Sequence, residues 1–360
     1  MKTCLFCGDF PLSKTKEHVF PRWLIALTGD PKRVAEFGKD SNSSTKIPWN
    51  SFTFPACNSC NNEFSFLEGR VKVVVLKLLQ MGDLSEVELN DLLDWLDKVR
   101  VGIWLGQIQL SKLESFKPNF YIKQRIGASD RMASIYYMEN DSKGLGYAGC
   151  VFDTFKLSPS CFTLFINNIA IFNFSREFAF TRRLGFPYAA KLHFLPNEKR
   201  ISFDSLCFGT ERVMNPIVRK AIMPSSIRVY QSVLKLDFSG EFEKLKTSYF
   251  KRHFANGFFT LYVENDFTRE QGFMSNGLTL GTPTKFKKGF LLRKLLVQTL
   301  EFQNYSLMEL CPSMHLLDKN ERKSRIMSLK VHTDYNKNIL DGLKRKLQAI
   351  NSGVICNEIL

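Results

Sequence analysis

Cys4-Leu5-Phe6-Cys7 and Cys57-Asn58-Ser59-Cys60-Asn61-Asn62 decide how the N-terminal part of the chain is read. Two C-x-x-C pairs in one short stretch have the spacing of a tetrahedral zinc site, with four soft thiolates closing the coordination sphere. A closed thiolate shell leaves no position for a substrate, so Cys4, Cys7, Cys57 and Cys60 point to structural zinc. A module this small has little core of its own, and the metal replaces it. The plain alternative is a set of unpaired cysteines that happen to lie near the N-terminus. Between the pairs runs Lys16-Glu17-His18-Val19-Phe20-Pro21, an acid directly followed by histidine.

Cys-x-x-Cys, then Glu-His-x-x-Pro, then Cys-x-x-Cys-Asn resembles the zinc-containing branch of the HNH, or ββα-metal, nucleases, with the phage endonuclease VII type similar in layout. The resemblance covers roughly residues 1–75. It implies a ββα-metal fold for that module and hydrolysis of phosphodiester bonds in DNA. It also implies roles for particular residues. His18 is the expected general base, because a neutral imidazole near working pH can take the proton of an attacking water. Glu17 and Asn61 are the expected ligands of a catalytic Mg²⁺ or Mn²⁺, since hard oxygen donors suit such ions. Glu17 stands where aspartate is commoner in the family. Asn62 is the alternative to Asn61, about 100° round the helix. Asn50 is the candidate for the residue that pins the histidine loop, or it is a turn asparagine. Glu68, two turns beyond Asn61, either orients the site or pairs with Arg70 or Lys72. The family's basic residue on the last turn is missing, with Phe64 and Ser65 in its place.

Composition supports a polyanionic partner. The 360 residues carry 50 Lys+Arg against 35 Asp+Glu, a formal charge of +15. Phosphate neutralisation supplies most non-specific affinity for nucleic acid. An ordinary lysine-rich surface is the bland alternative. The length suits two domains, and 44% hydrophobic residues can build a core. Of nine cysteines, Cys150, Cys161, Cys207, Cys311 and Cys356 lack paired spacing and read as buried thiols in a reducing cytoplasm. No signal peptide is read at the N-terminus, and no apolar run approaches the length of a membrane helix.

The expected fold class is α+β: an HNH-type module over 1–80, a helical connector over 81–114, and a mixed α+β domain with an antiparallel sheet over 115–360. Within the module, residues 16–24 read as a strand or loop, 28–48 as loop, and Trp49–Phe54 as the second strand. Phe64, Leu67, Val71, Val74, Val75 and Leu78 recur at helical steps, so a helix should run from Asn58 to about Gln80. Ser85 with Glu88 forms a capping box for the next helix, running towards Leu113 with Gly102 and Gly106 as weak points. The two helices would form an arm. Aromatic and β-branched runs around Ile135, Tyr147–Phe155, Phe162–Phe174, Val229–Asp237 and Phe258–Glu264 predict strands. Glu243–Phe254, Lys285–Leu300 and Asp318–Leu347 predict helices.

Basic clusters (Lys285-Phe286-Lys287-Lys288 with Arg293-Lys294, Lys319–Arg325, Lys344-Arg345-Lys346) suit either a solvated helix face or phosphate contact. Arg182-Arg183 and Lys251-Arg252-His253 are weaker versions. His193, His253, His315 and His332 sit in no partner motif. Three readings follow: a metal-dependent endonuclease, a non-catalytic zinc-stapled nucleic-acid-binding protein, or a nuclease held off until a ligand, a partner or oligomerisation activates it. In architecture alone the first is similar to restriction and antiphage enzymes.

Overall fold

A computed structural model describes residues 3–11, 13–37, 45–110, 118–139, 143–176, 179, 187–189, 192–195, 200–203, 206–208, 227–231, 261–265, 270–274, 277–308 and 319–351. In chain order the elements are β1 (Lys14–His18), α1 (Arg22–Leu27), β2 (Val34–Phe37), β3 (Thr45–Pro48), a 3-10 turn (Trp49–Ser51), β4 (Thr53–Cys57), α2 (Asn58–Gln80), α3 (Glu86–Leu110) and α4 (Ile122–Arg125). There follow β5 (Asp130–Met138), β6 (Leu145–Ala148), α5 (Asp153–Leu157), β7 (Cys161–Ile166), β8 (Ile169–Arg176), β9 (Pro187–Ala189), β10 (Leu192–Leu195), β11 (Arg200–Phe203), β12 (Leu206–Phe208), β13 (Ile227–Gln231), β14 (Leu261–Asn265), β15 (Glu270–Phe273) and β16 (Lys285–Phe286). The last described elements are the helices α6 (Lys288–Met308) and α7 (Lys319–Asn351). The class is α+β, as the sequence implies.

At the N-terminus β1 and β4 pair antiparallel, with Glu17 opposite Phe54 and His18 opposite Thr53, and α2 follows β4 directly. Pro55 lies within β4 rather than after the second strand, which an edge position of this two-stranded pair tolerates. The second strand therefore begins four residues later than the sequence suggests, because Trp49–Ser51 winds into a 3-10 turn. Residues 28–48 are not all loop: β2 and β3 form an antiparallel pair inside them. Their few apolar residues alternate too briefly to stand out from the polar composition.

Helix α2 has the bounds its apolar spacing predicts, and buries Phe64, Leu67, Val71, Val74, Val75 and Leu78. It ends at Met81 in the left-handed region (φ 57°), with the Gly82 N–H donating to the Lys77 carbonyl at 2.8 Å. The capping box of α3 forms: Ser85 N–H donates to Glu88 Oε2 at 2.8 Å, and Glu88 N–H to Ser85 Oγ at 3.3 Å. No arm results. Every residue of α3 from Leu92 to Gly106 except Asp94 is buried, because the helix runs between the N-terminal strands and the large sheet. Gly106 is a point of close approach rather than a weak point. A Cβ there would lie 2.7 Å from the Phe54 ring.

That sheet runs β15-β14-β13-β5-β8-β7-β6, antiparallel along this path, and β16 adds a short parallel contact to β5. All nine residues of β5 are buried, so both faces of the sheet are covered. Ala133, Ile135 and Tyr137 face the core that α2 and α3 share, a cluster that extends from Cys4 to Leu280. Met132, Tyr136 and Met138 face the other way, into a cluster with Leu291, Leu295 and Phe302 of α6. Helix α7 packs on α6 through Leu340. The helix expected at 243–254 lies outside the described residues, as do Arg182, Arg183, Lys251–His253, Cys311, His315, Cys356 and the side chains of His193 and Cys207. No helix among the described residues is long and apolar enough to cross a membrane.

Candidate metal centre and adjoining polar site

The four sulfurs of Cys4, Cys7, Cys57 and Cys60 all lie within 4.8 Å of one another. Cys7 and Cys57 Sγ are 3.8 Å apart. That is the edge of a tetrahedron whose centre is about 2.3 Å from each corner, the length of a zinc–thiolate bond. The donors thus suit a metal such as zinc in type, number and spacing. Their positions follow from local structure. Residues 4–9 form a knuckle in which Gly8 N–H donates to the Cys4 carbonyl at 2.9 Å and Cys4 N–H to the Asp9 carbonyl at 2.8 Å. Gly8 takes φ 86°, and a Cβ there would collide with the Tyr121 ring. Cys57 ends β4 and Cys60 lies in the first turn of α2, so the strand-to-helix corner presents both thiols together. The Cys57 N–H points at Cys4 Sγ, 3.3 Å away.

The acid–histidine pair sits at the far end of β1 from this cluster. His18 is half-buried, and its Nε2 is 3.1 Å from the main-chain carbonyl of Asn50. A carbonyl only accepts, so Nε2 carries the proton and a neutral ring keeps its lone pair on Nδ1. Asn50 therefore meets His18 with its backbone, not its side chain. The 3-10 turn is itself tied down: Trp49 N–H donates to the Arg33 carbonyl at 3.1 Å and Asn50 N–H to the Pro31 carbonyl at 3.3 Å. Burial pushes His18 below the usual imidazole range. The Asn50 bond and Glu68 oppose this, while Arg22 and Lys98 add to it. The net shift favours the neutral imidazole.

Glu17 points inward, at 5% exposure. Its carboxylate is 2.5 Å from the Lys98 ammonium, which also bonds Glu68 and lies 3.4 Å from the main-chain carbonyl of His18. Lys98 comes from α3 and is 1% exposed. Burial works against its charge, yet the Glu17 and Glu68 carboxylates outweigh this and hold the ammonium above its usual range. Burial raises Glu68, with Lys98 opposing and Glu17 reinforcing. The expected partners of Glu68 are otherwise engaged or absent from it: Arg70 pairs with Asp91 at 2.7 Å. Asn61 Nδ2 donates to Thr15 Oγ1 at 3.3 Å, on the strand position two residues before Glu17. Asn62 is exposed. Asn61 thus contacts β1 at Thr15, while Glu17 and Glu68 share Lys98.

Sequence reasoning missed Lys98. It lies 80 residues from His18, in a helix whose other features are those of a core element. The available signal was a lysine inside the buried stripe of α3, next to Asp97 and Arg100, where charge needs partners. Those neighbours face the sheet. Asp97 accepts from Arg100 at 2.6 Å and from Arg131 at 3.1 Å. Burial opposes its ionisation, and the two guanidinium groups more than offset that, holding the carboxyl below its usual range.

The basic clusters lie on the surface. Lys285, Lys287, Lys288, Lys323, Arg325, Arg345 and Lys346 are exposed, and Lys344 pairs with Glu301 at 2.5 Å. Cys150 and Cys161 are buried, as their apolar surroundings suggest. Together these features define an α+β chain with four clustered thiols that could hold a metal and a carboxylate–ammonium–carboxylate cluster formed by Glu17, Lys98 and Glu68. Comparisons with known proteins found no matching family model, no matching curated protein and no matching solved structure. The chemistry is therefore read from the residues themselves.

Proposed function

We propose that the chain is a metal-dependent endonuclease of the HNH type, with residues 1–80 as its catalytic module. The observation that carries this reading is His18: a neutral imidazole with Nε2 bonded to the Asn50 carbonyl, on a strand tied at its other end to a four-thiolate cluster. In the proposed reaction His18 Nδ1 takes a proton from water as the water oxygen bonds to phosphorus. The bond from phosphorus to the leaving deoxyribose oxygen breaks, and that oxygen is protonated from solvent. Asn50 orients the ring and stabilises the imidazolium that forms. Glu17 and Asn61 would hold a Mg²⁺ or Mn²⁺ ion, which supplies charge stabilisation at the phosphate. Their oxygens are of the right type, and Glu68 offers a third. Helix α3 would be the connector, and residues 115–360 would recognise DNA, an activating ligand or a partner protein, in the cytoplasm and in the manner of a defence nuclease. The excess of basic residues supports a nucleic-acid substrate.

The test is plasmid cleavage by the full chain with Mg²⁺ or Mn²⁺. His18→Ala should lower the rate by roughly 10²–10⁴-fold while removing one hydrogen bond of about 1 kcal/mol from the fold. Undiminished cutting by a folded His18→Ala protein overturns the role. The second reading, a zinc-stapled nucleic-acid-binding protein without catalysis, is favoured by the ion pair that engages Glu17. Salt-sensitive DNA binding without turnover in any divalent metal would select it.

A further inference from the structure

Between Glu270 and Glu301 the sequence carries no acidic residue, and five cations fall close together: Lys285, Lys287, Lys288, Arg293 and Lys294. They run from β16 into the first turns of α6, and the three lysines that lead are exposed. The backbone beneath them is fixed. Lys285 stands opposite Tyr137 of β5, and the Glu139 N–H donates to the Phe286 carbonyl at 2.9 Å. Phe286 stacks on Phe290 with ring centroids 6.5 Å apart, and the Lys294 ammonium lies 5.8 Å from the centre of the Phe290 ring. A second basic stretch joins them through the helix pairing. Asn336 Nδ2 of α7 donates to Asn304 Oδ1 of α6 at 2.9 Å, and Lys344 pairs with Glu301 at 2.5 Å. Residue numbers thus rise along α7 as they fall along α6, so exposed Arg345 and Lys346 run towards Arg293 and Lys294. Lys285, Lys287, Arg345 and Lys346 make no ion pair among the described residues. Lys344 already engages Glu301, which leaves Glu139 and Asp341 as the exposed carboxylates nearby. Cations gathered with so few acids repel one another and raise a positive potential over the surface.

We propose that this pole, built from residues 285–294 and the Arg345–Lys346 turn of α7, docks the phosphate backbone of nucleic acid irrespective of base sequence. Charge complementarity carries the choice of partner. A duplex presents about one negative charge per 1.7 Å of its axis, which a cluster of cations short of carboxylates matches. Four of the first five cations are lysines, which meet phosphate as point charges without the bidentate fork that reads a base edge. A bilayer fits this surface less well, because it takes apolar side chains as well as cations. None of the large apolar residues that stand exposed among the described residues lies within 285–294, where Phe286 and Phe290 are half-buried. The pole adjoins the far end of α2: Tyr137, opposite Lys285, donates to the Leu78 carbonyl at 3.0 Å, about 15 Å beyond Glu68 along the helix. The inference rests on the nucleic-acid reading of the chain, and the roles given to His18 and Glu17 do not enter it.

The experiment uses the full chain and follows its binding to a short fluorescein-labelled DNA duplex by anisotropy, without added divalent metal, over a series of salt concentrations. The triple variant Lys285→Gln, Lys287→Gln, Lys346→Gln removes three exposed charges and leaves the packed side chains alone. It should bind at least about tenfold more weakly, and the slope of log affinity against log salt should flatten by about 2.7, the share of three phosphate contacts. Scrambling the duplex sequence should change neither result. A charge-matched control, Lys323→Gln, Lys330→Gln, Lys337→Gln, takes the same charge from the other half of α7 and should lose severalfold less. Equal losses from the two triples reduce the effect to net charge and overturn the proposal, as does a slope that the first triple leaves unchanged. Binding of the wild type to phosphatidylserine vesicles but not to the duplex assigns the surface to a membrane and also overturns it. Binding that depends on the pole, in a chain that cuts no plasmid, keeps this surface and sinks the nuclease. Plasmid cleavage by a first triple that binds DNA as the wild type does sinks the docking surface alone.

Discussion

Stripping the metal from the four thiolates should unfold one end of the molecule and leave the rest standing. The magnitude follows from the chain the ion closes. Cys7 and Cys57 are 50 residues apart, and a cross-link around a loop of that length removes about 4 kcal/mol of loop-closure entropy from the unfolded state. The knuckle's other anchors are backbone bonds (Leu5 N–H to the Pro55 carbonyl at 3.0 Å, Lys123 N–H to the Phe6 carbonyl at 2.9 Å, Ile122 N–H to the Leu5 carbonyl at 3.4 Å) and the stack of Phe6 on Phe64 at 4.3 Å. Val19, Phe20, Leu24 and Trp49 belong, as Leu5 and Phe6 of the knuckle do, to the same buried cluster as Leu92, Leu96 and Val99 of α3, and away from the knuckle the metal does not create that packing.

The expected result is local. Metal analysis should find one zinc per chain. After chelation, hydrogen exchange read by mass spectrometry should rise by orders of magnitude in residues 3–11 and 53–62, while α3 and β5 keep their protection. Cys60→Ser should reproduce the pattern without chelator. A purified chain with no bound metal, or one whose exchange in those two segments ignores chelation, would refute the four-thiolate site.

Two further outcomes follow from shifted ionisations. His18 lies below the usual value of about 6.5, so the rate of plasmid cleavage should climb with pH through a midpoint under 6.5 and level off by neutrality. A midpoint above 7 would remove His18 as the base. The stability linked to His18 has the same sign: it is present above the unfolded value and lost as pH falls through the depressed folded one. Asp97 is the second case. Its depressed carboxyl contributes stability above the unfolded value near 3.8 that is lost only as pH falls through the lower folded value. Asp97→Asn leaves Arg100 and Arg131 buried with one charge fewer between them, and should cost about 3–5 kcal/mol at pH 7 by chemical denaturation. A loss under 1 kcal/mol would show that the network is replaceable.

Much of the first 110 residues was legible because its signals are short-range. Thiol spacing, the 3.6-residue period of α2 and the Ser85–Glu88 capping box each act within a few residues, and each appears where the sequence puts it. The antiparallel sheet was legible in kind from its aromatic and β-branched runs. Its strand order was not, since β13 inserts between β5 and β14 over a separation of about 100 residues that no local pattern encodes. The polar site was half legible. His18 and Glu17 stand out by adjacency, but the partner of each is remote: the Asn50 backbone carbonyl for one and Lys98 for the other. A side-chain reading of Asn50 could not foresee that its main chain makes the contact.

The position of Lys98 beside Asp97 gives α3 a second meaning. Successive residues on a helix point about 100° apart, and here that turn sends Lys98 to Glu17 and Glu68 while Asp97 goes to Arg131 of β5. Arg131 in turn bonds Gln231 of β13 at 2.6 Å, in the middle of the sheet. The sheet and the candidate site are thus joined through adjacent buried charges on one rigid helix.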